Sequence, residues 1–596
     1  MDAPAAIYVL TNEDIMRSGA TSIAEVLRLV PGVQVARAHS GGWAITVRGF
    51  ANSGLGNKLL VLMDGREVYD QLFSGVYWDV QDTVLEDIER IEVVRGPGGT
   101  LWGANAVNGV INIITKHAKD TQGGMVSAIV GNQDRAITTG RYGGVVGDNI
   151  YYRAYGKFLN RDEERTLSNV GSNDAQQAYR SGFRSDWTGS NGKDSFTVQG
   201  DAVRNDDSQF RISPALTFNI EQIHATGWNM LGRWQRELPE DSRFTVHSYI
   251  DYTYRDQLLI ADARTTFDLD AQYEMGGLGQ HKLIVGGKYR LSADKLTESA
   301  FITSANISRN DQTLSGFVQD KITLDPKKWF LTLGSKFEHN DYSGFEIQPS
   351  ARLQWHIGED KMAWASVARA VRTPSQIEQD FTIKYLHLGG TTFLGLVPNP
   401  HYNSEELIAY ELGYREQLTP SITLDVAGFY NDYDSLSSVT PVTGPFISTI
   451  RYTNGSTAES YGGEMTLNWR ASSKLNFGAS YSLLNIAVHG PVGGIDSEVA
   501  EDQSPTQQLN LRSQWNIRDD VSFDNTVYYV DSLPNFNIKH HWRIDTGIGW
   551  KINEQVQFNL VGQDLFSSSH PEFAAGSFTP TARIEPSVYG KLTCRF

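Results

Sequence analysis

The chain has 596 residues, and its 52 Lys and Arg against 69 Asp and Glu leave a formal charge of −17, which argues against a nucleic-acid surface as its main business. Only 40% of residues are hydrophobic, yet 11% are aromatic and 56 are glycine, a composition of many short alternating strands; no apolar run approaches the roughly 18 residues of a membrane helix, and the chain is not disordered in character. The single cysteine, Cys594, excludes an internal disulfide framework and a cysteine-based zinc site.

The opening Met1–Ala6 shows no basic segment followed by an apolar one, so any leader is expected ahead of Met1. Residues 1–118 read as a small mixed α/β unit. Ile7–Leu10 is a strand, and Thr11 with Asp14, then Ser22 with Glu25, are helix-start signals. Ile23, Val26, Leu27 and Val30 share one helical face, which Pro31-Gly32 ends. Val33–Val35, Trp43–Val47, Leu59–Met63 closed by Asp64-Gly65, Ile91–Val94 and Val110–Ile114 follow as short strands between turns.

From about Gly124 the period changes to two. Phe244, Val246, Ile250, Tyr252 and Tyr254 alternate with Thr245, His247, Tyr249, Asp251, Thr253 and Arg255, and similar runs recur at Leu283–Leu291, Ile347–His356 and Ile422–Tyr430. Segments of about ten residues suit a tilted membrane strand. Aromatics near segment ends (Trp228 and Trp234, Tyr252 and Tyr254, Tyr528 and Tyr529) suit an interfacial girdle, and closure removes the edges that so long an open sheet would expose. Twenty-two strands over residues 119–596 leave about 22 residues per strand and connection. Asp206–Ala225, Thr373–Glu406, Ser435–Glu459 and Ile486–Gln507 read as long loops, Leu238–Asp241 and Thr419–Ser421 as tight turns. The last strand ends on Phe596 and places Cys594 on its apolar face, as a small hydrophobe.

Several ordered motifs of the first 118 residues carry a family resemblance: Val9-Leu-Thr11 with Glu13-Asp-Ile15, Ile23–Leu27, Val30-Pro-Gly-Val33, Val47-Arg-Gly-Phe50, Val61–Gly65, Ile88–Pro97 and Leu101–Lys116. They resemble the plug domain of TonB-dependent outer-membrane receptors. The remainder is similar to the receptor barrel at Ser315–Asp320, Arg369–Ser375, Tyr410–Tyr414 and Phe429–Tyr433. The terminal strand likewise resembles the insertion signal of outer-membrane barrels. Trp102 and Asn108 stand where the family more often has Tyr and Gly, and no convincing TonB box is seen in Met1–Ala6, so either one is expected ahead of Met1 or this chain alone does not couple to TonB.

The resemblance implies a transmembrane β-barrel of 22 antiparallel strands (119–596) with the mixed α/β plug (1–118) inside its lumen. It implies an outer-membrane location, contact with lipid and lipopolysaccharide, and coupling to TonB in the periplasm. The expected function is active import of a scarce ligand, foremost an iron–siderophore complex, by a monomer with no cofactor and no catalytic residue. Cobalamin, haem, another metal chelate or an oligosaccharide are the alternatives. A passive porin is a poorer fit because of the plug, and a barrel enzyme because no Ser/His/Asp-type group is spaced for one.

Two residue sets are expected to matter. The loop after Asp64-Gly65, pointing outward by resemblance, offers Arg66, Tyr69, Gln71, Phe73, Tyr77 and Trp78, a cation among aromatics suited to an anionic, partly planar chelate. Arg48 and Arg95, in two Arg-Gly turns, are candidates to latch the plug to inward carboxylates such as Glu411 and Glu464. Other motifs are weaker. Gly96-Pro-Gly-Gly99 lacks the Lys-Ser/Thr of a phosphate loop. His540 and His541 point to opposite faces and show no clustered partner, so a strand-end role is expected for them. His387 and His401 share one long loop where haem or metal capture is conceivable; Asp206-Asp207 and Asp162–Glu164 read as solvated loop acids in preference to calcium ligands.

Overall fold

The computed structural model describes residues 4–51, 56–212, 218–257, 259–389, 392–444, 447–491, 498–574 and 581–596. The first segment builds β1 (Ala6–Thr11), α1 (Asn12–Arg17), α2 (Ile23–Val26), β2 (Val33–Arg37), β3 (Trp43–Val47), β4 (Leu59–Met63), β5 (Arg66–Glu67), β6 (Ile88–Arg95), α3 (Gly99–Trp102) and β7 (Gly109–Thr115). Thr11 caps α1 reciprocally with Asp14, and the Ser22 hydroxyl accepts from the Glu25 amide at the start of α2. α2 tightens into a 3-10 turn at Leu27–Leu29 before Pro31, and Ile23, Val26, Leu27 and Val30 are all buried. Five strands form one sheet in the order β1-β6-β7-β4-β5, with β1 at its edge; β2 and β3 pair separately.

After a single turn at Ala118–Thr121 the chain enters the barrel at Gly123–Gly131. Among the described residues the ring comprises 22 antiparallel strands, and the last, Ser587–Arg595, closes it against the first. Three shorter strands, Ile302–Ser304, Phe381–Gly389 and Thr392–Val397, belong to the loops above the rim. Alternation along the final strand shows the two environments. Val588 and Leu592 face outward, while Tyr589 and Thr593 are buried inward.

Two segments expected as loops are strands instead. Asp194–Ile212 pairs with Phe218–Leu238 up to Ile212 opposite Phe218, and Ile422–Gly444 with Ile447–Arg470 up to Gly444 opposite Ile447. These strands run to 19–24 residues, about twice a membrane crossing. Beyond the lipid both faces are wet, so the backbone ladder continues where hydrophobic alternation stops. Tyr528 also departs from expectation: it is buried and joins the plug's apolar core in place of the outer girdle, while Tyr529 stacks beside Trp542.

The plug lies inside the ring. Its charged side chains reach inward groups around much of the wall: Asp87 to Arg141, Glu67 to Arg290, Arg17 to Asp524 and Glu86 to Lys591. The start of β1 opens beside the tight turn at Pro420-Ser421, at the end opposite the long loops.

Candidate functional site

The Asp64-Gly65 turn takes both residues to positive φ (52° and 90°), the geometry of a two-residue hairpin with a matching twist. The Asp64 carboxylate fixes the turn by accepting from the Thr115 amide and hydroxyl, each at 2.8 Å, and from Gln199 at 2.8 Å. The loop beyond it therefore leaves the plug in one direction, toward the long barrel loops.

That loop is roofed. α4 (Gln376–Asp380), in the connection after the strand Lys361–Arg372, donates backbone N–H groups from Gln376 to the Gln71 carbonyl (3.1 Å) and from Ile377 to the Leu72 carbonyl (3.0 Å). The Gln71 amide donates to the Pro374 carbonyl at 2.7 Å. Leu72 is buried among Ile260, Leu296, Ile302 and Phe381, an apolar patch shared by the plug loop and three barrel connections.

Beside the loop is a cavity of about 160 Å³, lined by Arg66, Tyr69, Gln71 and Tyr77 from the plug and by inward barrel residues including Tyr249, Tyr342 and Lys336. Of the six plug residues expected to meet ligand, these four line it. Phe73 and Trp78 do not: Phe73 stacks on Tyr77 with ring centres 4.4 Å apart, and Trp78 is buried in the plug core. The cation expected among the aromatics is present, but it is not free. Seven basic and seven acidic side chains line the cavity, and Arg66 is paired with Asp251 at 3.0 Å. Burial pushes the Tyr69 and Tyr77 hydroxyls above their ordinary range, so both remain hydrogen-bond donors at neutral pH. The Arg255 guanidinium lies 4.2 Å over the Tyr77 ring. The chemistry on offer is stacking, hydroxyl donation and exchangeable ion pairs. The volume is below the roughly 300–1,000 Å³ of small-molecule pockets, so a ligand of siderophore size needs more room than the cavity holds.

Lower in the lumen, Arg48, Arg95, Glu411 and Glu464 come together, all four nearly fully buried. Arg48, Gly49 and Phe50 take three consecutive positive φ angles (53°, 95° and 60°), which turns the Arg48 side chain out of β3 toward the wall. Arg48 Nη1 is 2.5 Å from Glu411 and its Nε 3.1 Å from Glu464; Arg95 Nη1 is 3.1 Å from the other Glu464 oxygen. The Arg48 guanidinium also sits 4.1 Å over the Phe429 ring.

A second network was not anticipated. Arg372, fully buried, donates to Glu378 (2.7 Å), Glu405 (2.6 Å), the Tyr402 hydroxyl (3.0 Å) and the plug's Ser74 hydroxyl (3.3 Å), while the plug's Lys58 donates to Glu405. It joins plug, wall and roof loop at one point. The Arg369–Ser375 motif was the available signal, though nothing local names its partners.

The motif acids expected to be solvated are only partly so: Asp207 is buried, accepting from Asn205 at 2.9 Å, and Glu164 is buried against the plug, because both face the lumen. Asp206 pairs with Arg204 and His224, Asp162 with Arg135, and Glu164 with Arg37. His401 is exposed, and the His387 side chain lies outside the described residues. His541 differs from expectation. Its ring packs 4.2 Å from that of His570, beside Glu572, because the loop after Val556–Gln563 folds back across the rim.

The sequence matches two family descriptions: TonB-dependent Receptor Plug Domain over residues 1–110, and TonB dependent receptor-like, beta-barrel over residues 117–565. It is 25% identical over 618 residues to the iron-regulated outer membrane virulence protein of Vibrio cholerae, covering 95% of this chain and 89% of that one. It is also 25% identical over 460 residues to the vitamin B12 transporter BtuB of Vibrio vulnificus, covering 72% and 68%. In structure it superposes on a variant of the ferric enterobactin receptor PfeA of Pseudomonas aeruginosa with a TM-score of 0.79 at 17% identity, covering 100% and 99%. With its closed 22-strand ring, its stopper and these two family matches, the chain belongs to the TonB-dependent receptors of the bacterial outer membrane, a family of transporters and receptors.

Proposed function

We propose that this protein is an active importer of an iron–siderophore complex, with Arg66, Tyr69, Gln71 and Tyr77 at its binding surface. The division between stopper and ring falls at 118/119, and the monomer meets lipid and lipopolysaccharide on its outer face. TonB, drawing on the inner-membrane proton gradient, supplies from the periplasm the work needed to move the plug. No catalytic residue takes part.

One observation carries the reading. The tyrosine- and arginine-rich cavity rests directly on the plug's outward loop, and that loop is backbone-bonded to the barrel connection that roofs it. Arrival outside thus alters a contact made by the plug itself. Ferric chelates are favoured because aromatic rings and guanidinium groups suit a planar, anionic ligand, and because the names of the Vibrio cholerae and Pseudomonas aeruginosa proteins refer to iron and to ferric enterobactin. Cobalamin is the second reading, prompted by the vitamin B12 transporter of Vibrio vulnificus.

The test is uptake of radiolabelled iron, presented on a panel of siderophores, by a deletion strain with and without the gene. Energy-dependent accumulation of one or more ferric chelates is expected. Cobalamin uptake without iron uptake selects the second reading, and steady large conductance in planar bilayers without accumulation refutes import altogether.

A further inference from the structure

Three side chains converge away from that cavity, in a place that import does not use. His541 opens the strand His541–Lys551, while His570 and Glu572 lie in the connection between the last two barrel strands, Val556–Gln563 and Ser587–Arg595. One nitrogen from each imidazole and one Glu572 oxygen lie within 4.8 Å of one another. His541 Nδ1, His570 Nε2 and Glu572 Oε1 are each buried without a hydrogen-bond partner. His570 Nε2 is 3.9 Å from Glu572 Oε1, too far for a hydrogen bond. Protons alone do not satisfy this cluster.

The other atoms of these groups are engaged so that the free ones face each other. Glu572 Oε2 accepts from Arg28 Nη2 at 2.6 Å and from the Arg37 backbone amide at 2.8 Å, and the Glu572 side chain is 1% exposed. His570 Nδ1 lies 3.3 Å from the Ser568 carbonyl and 3.6 Å from Asp564 Oδ2. The Ser568 carbonyl holds the proton on Nδ1 and leaves Nε2 a lone pair, and the Asp564 carboxylate lies just beyond hydrogen-bond reach of the same nitrogen, on the side from which a second carboxylate orients a metal-ligating histidine. The charge around the cluster is compatible with a cation. Glu572 and Asp564 face it; Arg28 is neutralised on the far oxygen of Glu572, and Arg543 is held by Asp545 at 2.9 Å. Two imidazoles and one carboxylate suit zinc and its neighbours in the first transition row, and suit calcium or magnesium poorly.

We propose that His541, His570 and Glu572 bind one divalent transition cation of the zinc class. The ion staples the last outer loop to the barrel rim and, through Arg28 and Arg37 on Glu572, to the plug. His540, next in the chain, is exposed on the opposite face and stays outside the site.

The experiment uses the full-length protein, purified without a histidine tag and equilibrated with zinc chloride. One equivalent of zinc is expected to remain bound. His541→Asn and His570→Gln should each weaken binding by more than the roughly 10- to 100-fold expected of the orienting change Asp564→Asn, and His540→Asn should leave it unchanged. Heat-dependent mobility on gels verifies that each variant has closed its barrel. In the wild type, zinc should protect His541 and His570 from diethylpyrocarbonate while His540 remains labelled, a readout that needs no variant. Failure to retain stoichiometric zinc, wild-type affinity in either histidine variant, or absence of protection overturns the proposal, whichever chelate the protein imports.

Discussion

Replacing Glu464 by Gln removes the negative charge that Arg48 and Arg95 share and turns one of the two acceptor oxygens into a donor. Removing one partner from a buried ion pair costs about 3–5 kcal/mol, because the other charge is left uncompensated. Here the lower end applies. Arg48 keeps Glu411 at 2.5 Å, and Arg95 keeps two backbone carbonyls, Ala6 at 3.4 Å and Pro31 at 3.3 Å. A loss of about 3 kcal/mol raises the open population on the order of 100-fold, at about 1.4 kcal/mol per factor of ten. With a urea dependence of about 2 kcal/mol per molar, the midpoint for plug loosening falls by about 1.5 M. The assay is single-channel conductance in planar bilayers during a urea titration, where the closed receptor is silent and a loosened plug gives openings. The cost should largely disappear when the whole cluster is made apolar. Arg48→Met, Arg95→Met, Glu411→Leu and Glu464→Leu together should come within about 1–2 kcal/mol of wild type, since no charge is then stranded. Openings of Glu464→Gln at the wild-type urea concentration, or no coupling energy between Glu464→Gln and Arg95→Gln in a double-mutant cycle, would refute the latch.

The plug should also weaken in acid. Burial raises the Glu25 and Glu86 carboxyls, but Arg543 beside the first and Lys591 at 2.7 Å from the second outweigh it and hold both at about 2, against 4.5 for the free group. Their stabilisation is present above about pH 4.5 and is lost as pH falls through the folded value. About 2 kcal/mol from each should be gone by pH 3, read as a lower plug-unfolding midpoint at pH 3 than at pH 6; equal midpoints would contradict it. Gly96→Ala should loosen the plug in the same conductance assay. At φ 102° a side chain is strained, and its Cβ would sit 2.3 Å from Glu411 Oε1 and 2.9 Å from Arg48 Nη1. Trp78→Ala and Arg66→Ala should separate stability from binding. The first empties a core position and costs about 3–5 kcal/mol of plug stability, while the second leaves Asp251 unpaired on the wall and should reduce chelate uptake at least about tenfold with a smaller fall in the urea midpoint. Equal urea sensitivity of the two variants would sink that distinction.

What the sequence disclosed follows the range of the forces involved. The Thr11 capping box, the apolar face of Ile23, Val26, Leu27 and Val30, and the turn at Asp64-Gly65 act over a few residues, and all are legible in a short window. Barrel strands are legible where lipid on one side and the lumen on the other impose alternation. The extensions around Ile212 and Gly444 are not, because water on both faces imposes none. Arg66 stands out as a cation among aromatics, yet its neutralising partner Asp251 is 185 positions away and depends on register around the ring. Lys58 and Glu405 are separated by 347 positions, and the tie between them is invisible for the same reason. Trp78 shows the converse limit. An aromatic next to a polar loop reads alike whether it faces ligand or core, and only packing decides. His541 seemed isolated because its partners arrive by the folding back of a loop.

The position of β1 gives the plug a built-in order of disassembly. β1 is both the first of the described strands and the outermost plank of its sheet, strand-paired among the described residues with β6 alone. A tug on the leading end strips that plank away before it strains β6, β7, β4 or β5. The first backbone it lifts, at Ala6, is the one that steadies Arg95 from behind. Traction then undoes the charge cluster from its supporting side, like a ripcord, with no need to break the ion pairs head-on. Because α1 is tied to the wall through Arg17 and Asp524, the strand retains an anchor from which to zip back once tension ends.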